Sequence, residues 1–286
     1  MHVAAERREG CGGGARSVSS GPLMDRLLLI AATACFFLGV LRTLLSVRAG
    51  VFRPGRFNFF AIAAGFVLQT AFLWMRGNAV GRCPLTNLFE VFIFMAWSLA
   101  LIYMLVGPTY RLSLMGAFTA PLVFLMQTFA LVAPLDRPAP PKIEVNAWLE
   151  FHASMSIVAY GAFALAGIAG LMYLLQERQL KRRELHSIFH HLPPLTDLYS
   201  AITRLLWLGF ALYTAGLVSG FFTGQPLPVG KMTAAILVWL LYAAILQGRQ
   251  LFRLGPRQVA MLCVVGFTAA VSVLWGITFV SERLPL

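Results

Sequence analysis

The chain has 286 residues, of which 59% are hydrophobic and only 12% charged, and its formal net charge is +12. Soluble domains carry about 25% charged residues, so this composition excludes an ordinary water-soluble fold and points to lipid as the main solvent. The basic residues form no aromatic-interleaved face of the kind that binds nucleic acid. They fall in short gaps between apolar runs, where they orient a membrane protein.

Met1 to Leu23, rich in Gly, Ser and Arg, reads as a disordered tail without the apolar stretch of a cleavable signal peptide. Met24, directly ahead of the first apolar run, is a second candidate start. A spanning helix needs about 20 mostly apolar residues. Eight runs are candidates: Leu27 to Val47, Phe57 to Met75, Leu88 to Val106, Leu112 to Ala133, Leu149 to Leu175, Leu205 to Phe222, Met232 to Leu246 and Val259 to Val280. The seventh is the shortest, a candidate tilted or re-entrant segment, but Gly230-Lys231 before it and Gly248-Arg249 after it read as ordinary span ends. The expected fold is all-α, a polytopic bundle of about eight transmembrane helices forming one domain over residues 24–286. In the longest connection, Gln176 to Arg204, the charged first half continues the fifth helix until Pro193 and Pro194 stop it. No loop is long enough to be a soluble domain.

Eight spans place both termini on one side. The connections after spans one, three, five and seven carry thirteen Lys and Arg, from Arg42 to Arg257, against seven on the other side from Arg26 to Arg283, or ten when Arg7, Arg8 and Arg16 of the tail are counted. The richer side is expected in the cytoplasm and both termini on the outer, periplasmic side of a bacterial inner membrane.

The four cysteines, Cys11, Cys35, Cys83 and Cys263, form no C-x-x-C pair and no zinc-type spacing. No phosphate-binding loop, nucleophile elbow or H-E-x-x-H stands in the sequence, which leaves hydrolysis and nucleotide-driven transport without support.

Ionisable groups at membrane depth are costly and mark functional sites. Glu90, Glu150 and His152 are the candidates, each near the outer end of a span. His152, Met155, Ser156, Ala159, Tyr160 and Phe163 recur on one face of the fifth helix. A neutral imidazole there could ligate iron, its second nitrogen held by Glu150 or a nearby carbonyl; the plainer reading is a histidine hydrogen-bonded within the bundle. Asn87 is a candidate N-cap for the third helix, with Glu90 three residues on reaching back to it. As a cap alone, the pair predicts that Glu90→Gln is milder than Asn87→Ala. The other reading makes Glu90 a buried proton carrier or a partner for a cation. His186, His190 and His191 lie among Lys and Arg on the cytoplasmic connection and read as a solvated face.

Pro84-Leu-Thr-Asn-Leu-Phe-Glu90, then Trp148-Leu-Glu-Phe-His152 followed by Tyr160, then Gln176-Glu-Arg-Gln-Leu-Lys181 leading to Leu192-Pro-Pro-Leu195, resemble in order the CcsA/HemX/YpjD group of cytochrome c assembly membrane proteins. The resemblance covers residues 84–286. It implies an eight-span bundle that handles haem at the outer face, where CcsA-type members present it to apocytochrome c. His152 matches the first outer haem-ligating histidine of those proteins and is the implied axial ligand of a non-covalent b-type haem. Trp148, Tyr160, Glu90, Asn87 and Pro84 are the further candidate haem-site residues from the matched motifs. The Trp-rich outer loop of CcsA-type proteins is replaced by Thr223-Gly-Gln-Pro-Leu-Pro-Val-Gly-Lys231, and the later family histidines are absent. These departures place the chain nearer the HemX and YpjD branch. They imply an accessory assembly factor rather than an enzyme, with a second assembly subunit or apocytochrome c as partner. The rival readings are a small-molecule or ion transporter using Glu90, Asn87 and Gln69, and a structural or regulatory subunit of a haem-biosynthesis or membrane complex without cofactor.

Overall fold

The computed structural model describes residues 21–49, 56–106, 113–136, 146–182, 194–224 and 229–283, and every regular element among them is an α-helix. The helices are α1 (Gly21–Arg48), α2 (Arg56–Val80), α3 (Leu88–Val106), α4 (Ser113–Val132), α5 (Ala147–Arg182), α6 (Leu195–Gly220), α7 (Val229–Leu251) and α8 (Pro256–Arg283). All eight are long and apolar enough to cross a bilayer. The chain is therefore a multi-pass membrane protein.

The eight apolar runs each became a helix, with ends that differ where polarity hid the periodicity. α6 begins at Leu195, ten residues before its apolar run. The added segment carries Asp197 and Arg204, yet Leu198, Ala201 and Ile202 are buried, so an amphipathic first half docks onto the bundle directly after Pro194. α5 runs to Arg182, as its charged continuation implies. His186, His190, His191 and Pro193 lie outside the described residues.

α5 is the axis of the bundle. It packs along α6 and against α8, α3 and α4, while α1 packs on α2 and α4. In lipid this association rests on close packing rather than on apolar burial from water, and small residues set how near two backbones come. Gly170 shows the point, since a Cβ there would lie 2.7 Å from the Ala260 carbonyl oxygen of α8. The main core includes Phe36, Ile62, Leu99, Phe163, Tyr213 and Tyr242. A smaller apolar cluster, with Leu29, Phe72, Phe89, Ile93 and Ala130, closes one end of α1 to α4. Across the α1, α2 and α4 interface, buried Gln69 Nε2 donates to Gln127 Oε1 at 2.9 Å, and Gln127 Nε2 donates to the Leu29 carbonyl at 3.0 Å.

Candidate functional site

The start of α1, the end of α2, the start of α3, the end of α4, the start of α5 and the end of α6 share one face of the bundle. The polar side chains gather there in two groups.

The first group holds α3. Asn87 Oδ1 accepts from the Glu90 N–H at 2.9 Å, the N-cap bond read from the sequence. The reciprocal bond differs by one residue: Glu90 Oε2 accepts from both the N–H and the hydroxyl of Thr86, each at 2.7 Å. Glu90 Oε1 meets Arg76 Nε at 2.9 Å, and Arg76 extends to Asp136 Oδ1 at 2.6 Å. Arg26 stands 3.8 Å from Asp136 Oδ2. Glu90 is fully buried, so its charge is tolerated because one oxygen is ion-paired and the other doubly hydrogen-bonded. Glu90 is thus a partner for a cation, and the cation is the chain's own Arg76. Pro84 is buried beside this group, at the turn that leads from α2 to α3.

The second group holds His152. Asn146 caps α5 through its Oδ1, which accepts from the Trp148 N–H at 3.0 Å, and its Nδ2 donates to the Thr223 carbonyl at 2.6 Å. These bonds fasten the start of α5 to the end of α6. The small residues of Gly216-Leu-Val-Ser-Gly220 bring the helices close enough for His152 Nδ1 to reach the Gly216 carbonyl at 2.6 Å. The same carbonyl accepts from Ser219 Oγ at 2.7 Å. Gly220 lies under the ring: a Cβ there would come within 3.0 Å of Nδ1 and 3.2 Å of Cε1. A carbonyl oxygen only accepts, so Nδ1 carries a proton, and in the neutral ring Nε2 is then the nitrogen with the lone pair.

One turn outward of His152 on α5, Trp148 is half exposed and its ring lies 5.2 Å from that of Phe222, an aromatic pair at the rim of the bundle. Tyr160 is two turns inward, about 12 Å along the axis. It is buried, with its ring edge-on to Tyr213 at 5.9 Å. Of the sequence candidates, Trp148 and His152 thus lie together, Tyr160 belongs to the core below them, and Glu90, Asn87 and Pro84 form the separate α3 group. Glu150 joins neither imidazole nitrogen; its Oε1 accepts from the Cys83 N–H at 3.0 Å. Burial, with Glu150 and then Glu90 adding to it, pushes the Cys83 thiol up to about 11. Among the described residues no group of three or more His, Cys, Asp or Glu could hold a bare metal ion.

Sequence reasoning missed Arg76, Asp136, Asn146, Gly216 and Gly220. Asn146 ahead of an apolar run is an N-cap signal, and the Gly-x-x-x-Gly spacing is a close-packing signal. The pairings of Arg76 had no local sign.

A multi-pass helical bundle with an oriented histidine near the rim of one face is the class of protein defined so far. Residues 85–284 match the sequence model of the Cytochrome C assembly protein family, and the chain belongs to that family. It is similar to the cytochrome c biogenesis protein CcsA of Chlamydomonas reinhardtii, 25% identical in an alignment of 238 residues that covers 76% of this chain and 64% of the relative. The CcsA of Guillardia theta is 26% identical over 283 residues, 87% of this chain and 92% of the relative. Protein HemX of Brevibacillus brevis is 28% identical over 176 residues, 60% of this chain and 64% of the relative. The chain thus spans less than two thirds of the Chlamydomonas and Brevibacillus relatives.

Proposed function

We propose that this chain serves cytochrome c assembly by holding haem, as cargo, on the face that carries the α2–α3, α4–α5 and α6–α7 connections, with His152 Nε2 as an axial ligand. The observation that carries the reading is the 2.6 Å bond from His152 Nδ1–H to the Gly216 carbonyl. Ligating histidines are commonly oriented through their other ring nitrogen, which fixes the tautomer and raises the basicity of the free one. The exposed Trp148 and Phe222 rings supply an apolar rim one turn outward of His152 on α5, suited to a flat apolar macrocycle at the membrane interface. Bound haem is the group that the assembly reaction passes on; the chain's residues bind it and set its orientation.

The thirteen-to-seven distribution of Lys and Arg supports placing this face in the bacterial periplasm, and both termini with it. His186, His190 and His191 belong to the α5–α6 connection, across a bilayer core of about 30 Å. His2 lies in the tail upstream of Met24, which leaves His152 as the outer-side histidine downstream of it. The second axial position is therefore left open, taken by a weaker ligand such as methionine, or filled by an assembly partner or apocytochrome c. That incompleteness fits an accessory subunit of the HemX kind.

The reading is tested in cells lacking the gene and complemented with wild type or His152→Ala, by staining covalently attached haem in the membrane fraction. Wild type restores c-type cytochromes and His152→Ala, at equal protein level, does not. Full restoration by His152→Ala removes the ligand. Normal cytochrome content in the deletion strain turns the reading toward transport or a structural subunit.

A further inference from the structure

Between the end of α2 and the first half of α3, with Glu150 of α5 in its wall, lies a groove of about 540 Å³ lined from Thr70 to Pro84 and by Phe94, Trp97 and Glu150. It runs about 16 Å along the α2 axis, from Thr70 to Gly81. Its wall changes character over that length. The membrane end is apolar and aromatic, with Leu73, Trp74, Phe94 and Trp97; the end at the α2–α3 connection is polar, with Asn78, Arg82 and Glu150. Trp97 Nε1 donates to Thr70 Oγ1 at 2.8 Å, so the indole N–H makes no demand on an occupant. Trp74 is 73% exposed on the lipid-facing side, which leaves the groove open to the bilayer.

We propose that this groove is a specific site for one phosphatidylethanolamine molecule of the adjoining leaflet. The gradient of polarity matches that of a phospholipid with its chains toward the bilayer centre. The charges at the mouth choose among headgroups. Arg82 brings a guanidinium fork suited to a phosphate, with donors enough to serve more than one acceptor, and Glu150 offers a carboxylate to a primary ammonium. The bond from Cys83 uses one of the roughly four acceptor positions of that carboxylate. A headgroup bearing phosphate and –NH₃⁺ answers both charges. Phosphatidylglycerol has no cation for Glu150, and the quaternary ammonium of phosphatidylcholine has no N–H to donate.

The proposal concerns lipid alone, so its test needs no haem. The full chain is purified in mild detergent, stripped of lipid, and titrated with phosphatidylethanolamine, phosphatidylglycerol or phosphatidylcholine of identical acyl chains, with retained lipid counted by native mass spectrometry. One phosphatidylethanolamine is retained about tenfold more tightly than either other lipid, the scale of a single charge-assisted hydrogen bond. Glu150→Gln, which still accepts from the Cys83 N–H, removes that preference. Asn78→Trp, which fills the mouth from an exposed position, removes the tight site for all three. Equal retention of the three lipids by wild type, or wild-type retention by folded Asn78→Trp, overturns the proposal.

Discussion

Replacing Gly220 with alanine puts a methyl carbon 3.0 Å from His152 Nδ1 and 3.2 Å from Cε1, inside ordinary van der Waals contact. The ring must retreat by several tenths of an ångström, and the 2.6 Å bond to the Gly216 carbonyl is what it gives up. Losing that bond costs about 1 kcal/mol net. Alanine in place of a helical glycine returns about 0.5–1 kcal/mol, so the fold should hardly notice. The imidazole loses its orienting partner, however, and such losses at ligating histidines weaken metal binding on the order of 10–100-fold. The assay is a haem titration of the purified variant followed in the Soret region, beside a thermal melt that confirms unchanged stability. Wild-type haem affinity in a folded Gly220→Ala protein would refute the idea that α6 sets the histidine.

In the α3 group, Arg76→Ala strands the fully buried Glu90 carboxylate and should cost on the order of 3 kcal/mol, read as loss of folded protein from the membrane. Glu90→Gln, which breaks the same ion pair, should be more damaging than Asn87→Ala at about 1 kcal/mol, the reverse of the order a simple cap predicts; equal levels for the two variants would count against the ion pair. With its pKa raised to about 11, Cys83 stays a protonated thiol at pH 8, and its reactivity rises only as pH approaches 11. In a variant whose other cysteines are serine, maleimide should label it roughly 100-fold more slowly than an exposed thiol, and labelling at the exposed rate would contradict that burial. Gly170→Ala drives a Cβ to 2.7 Å from the Ala260 carbonyl oxygen, a backbone atom, so it should separate α5 from α8 and cost about 1–3 kcal/mol, read as a lowered melting midpoint on heating in detergent.

The eight helices were legible because a membrane span is written in consecutive residues, and an apolar run of about 20 suits little besides a bilayer-crossing helix. The first half of α6 was not, because Leu195 to Arg204 mixes polar with apolar side chains and its buried stripe of Leu198, Ala201 and Ile202 shows only once α6 has neighbours. At the site, the helical spacing that put His152, Ser156, Tyr160 and Phe163 on one face of α5 corresponds to the face packed on α6, with Ser156 against Gly216 and Phe163 against Gly209. The histidine's partner stayed open between Glu150 and a carbonyl because backbone oxygens from another helix leave no trace in sequence. Arg76 and Asp136 looked like ordinary charges flanking spans. Their pairing joins residues 60 apart, and only the fold brings them together.

The most direct measurement is the Soret absorption of the detergent-purified chain, wild type against His152→Ala, each recorded with and without added imidazole. Ligation by His152 predicts a Soret band in wild type that is diminished in the variant and restored when imidazole fills the vacated position. A folded His152→Ala protein with wild-type haem content and an unshifted spectrum would contradict it.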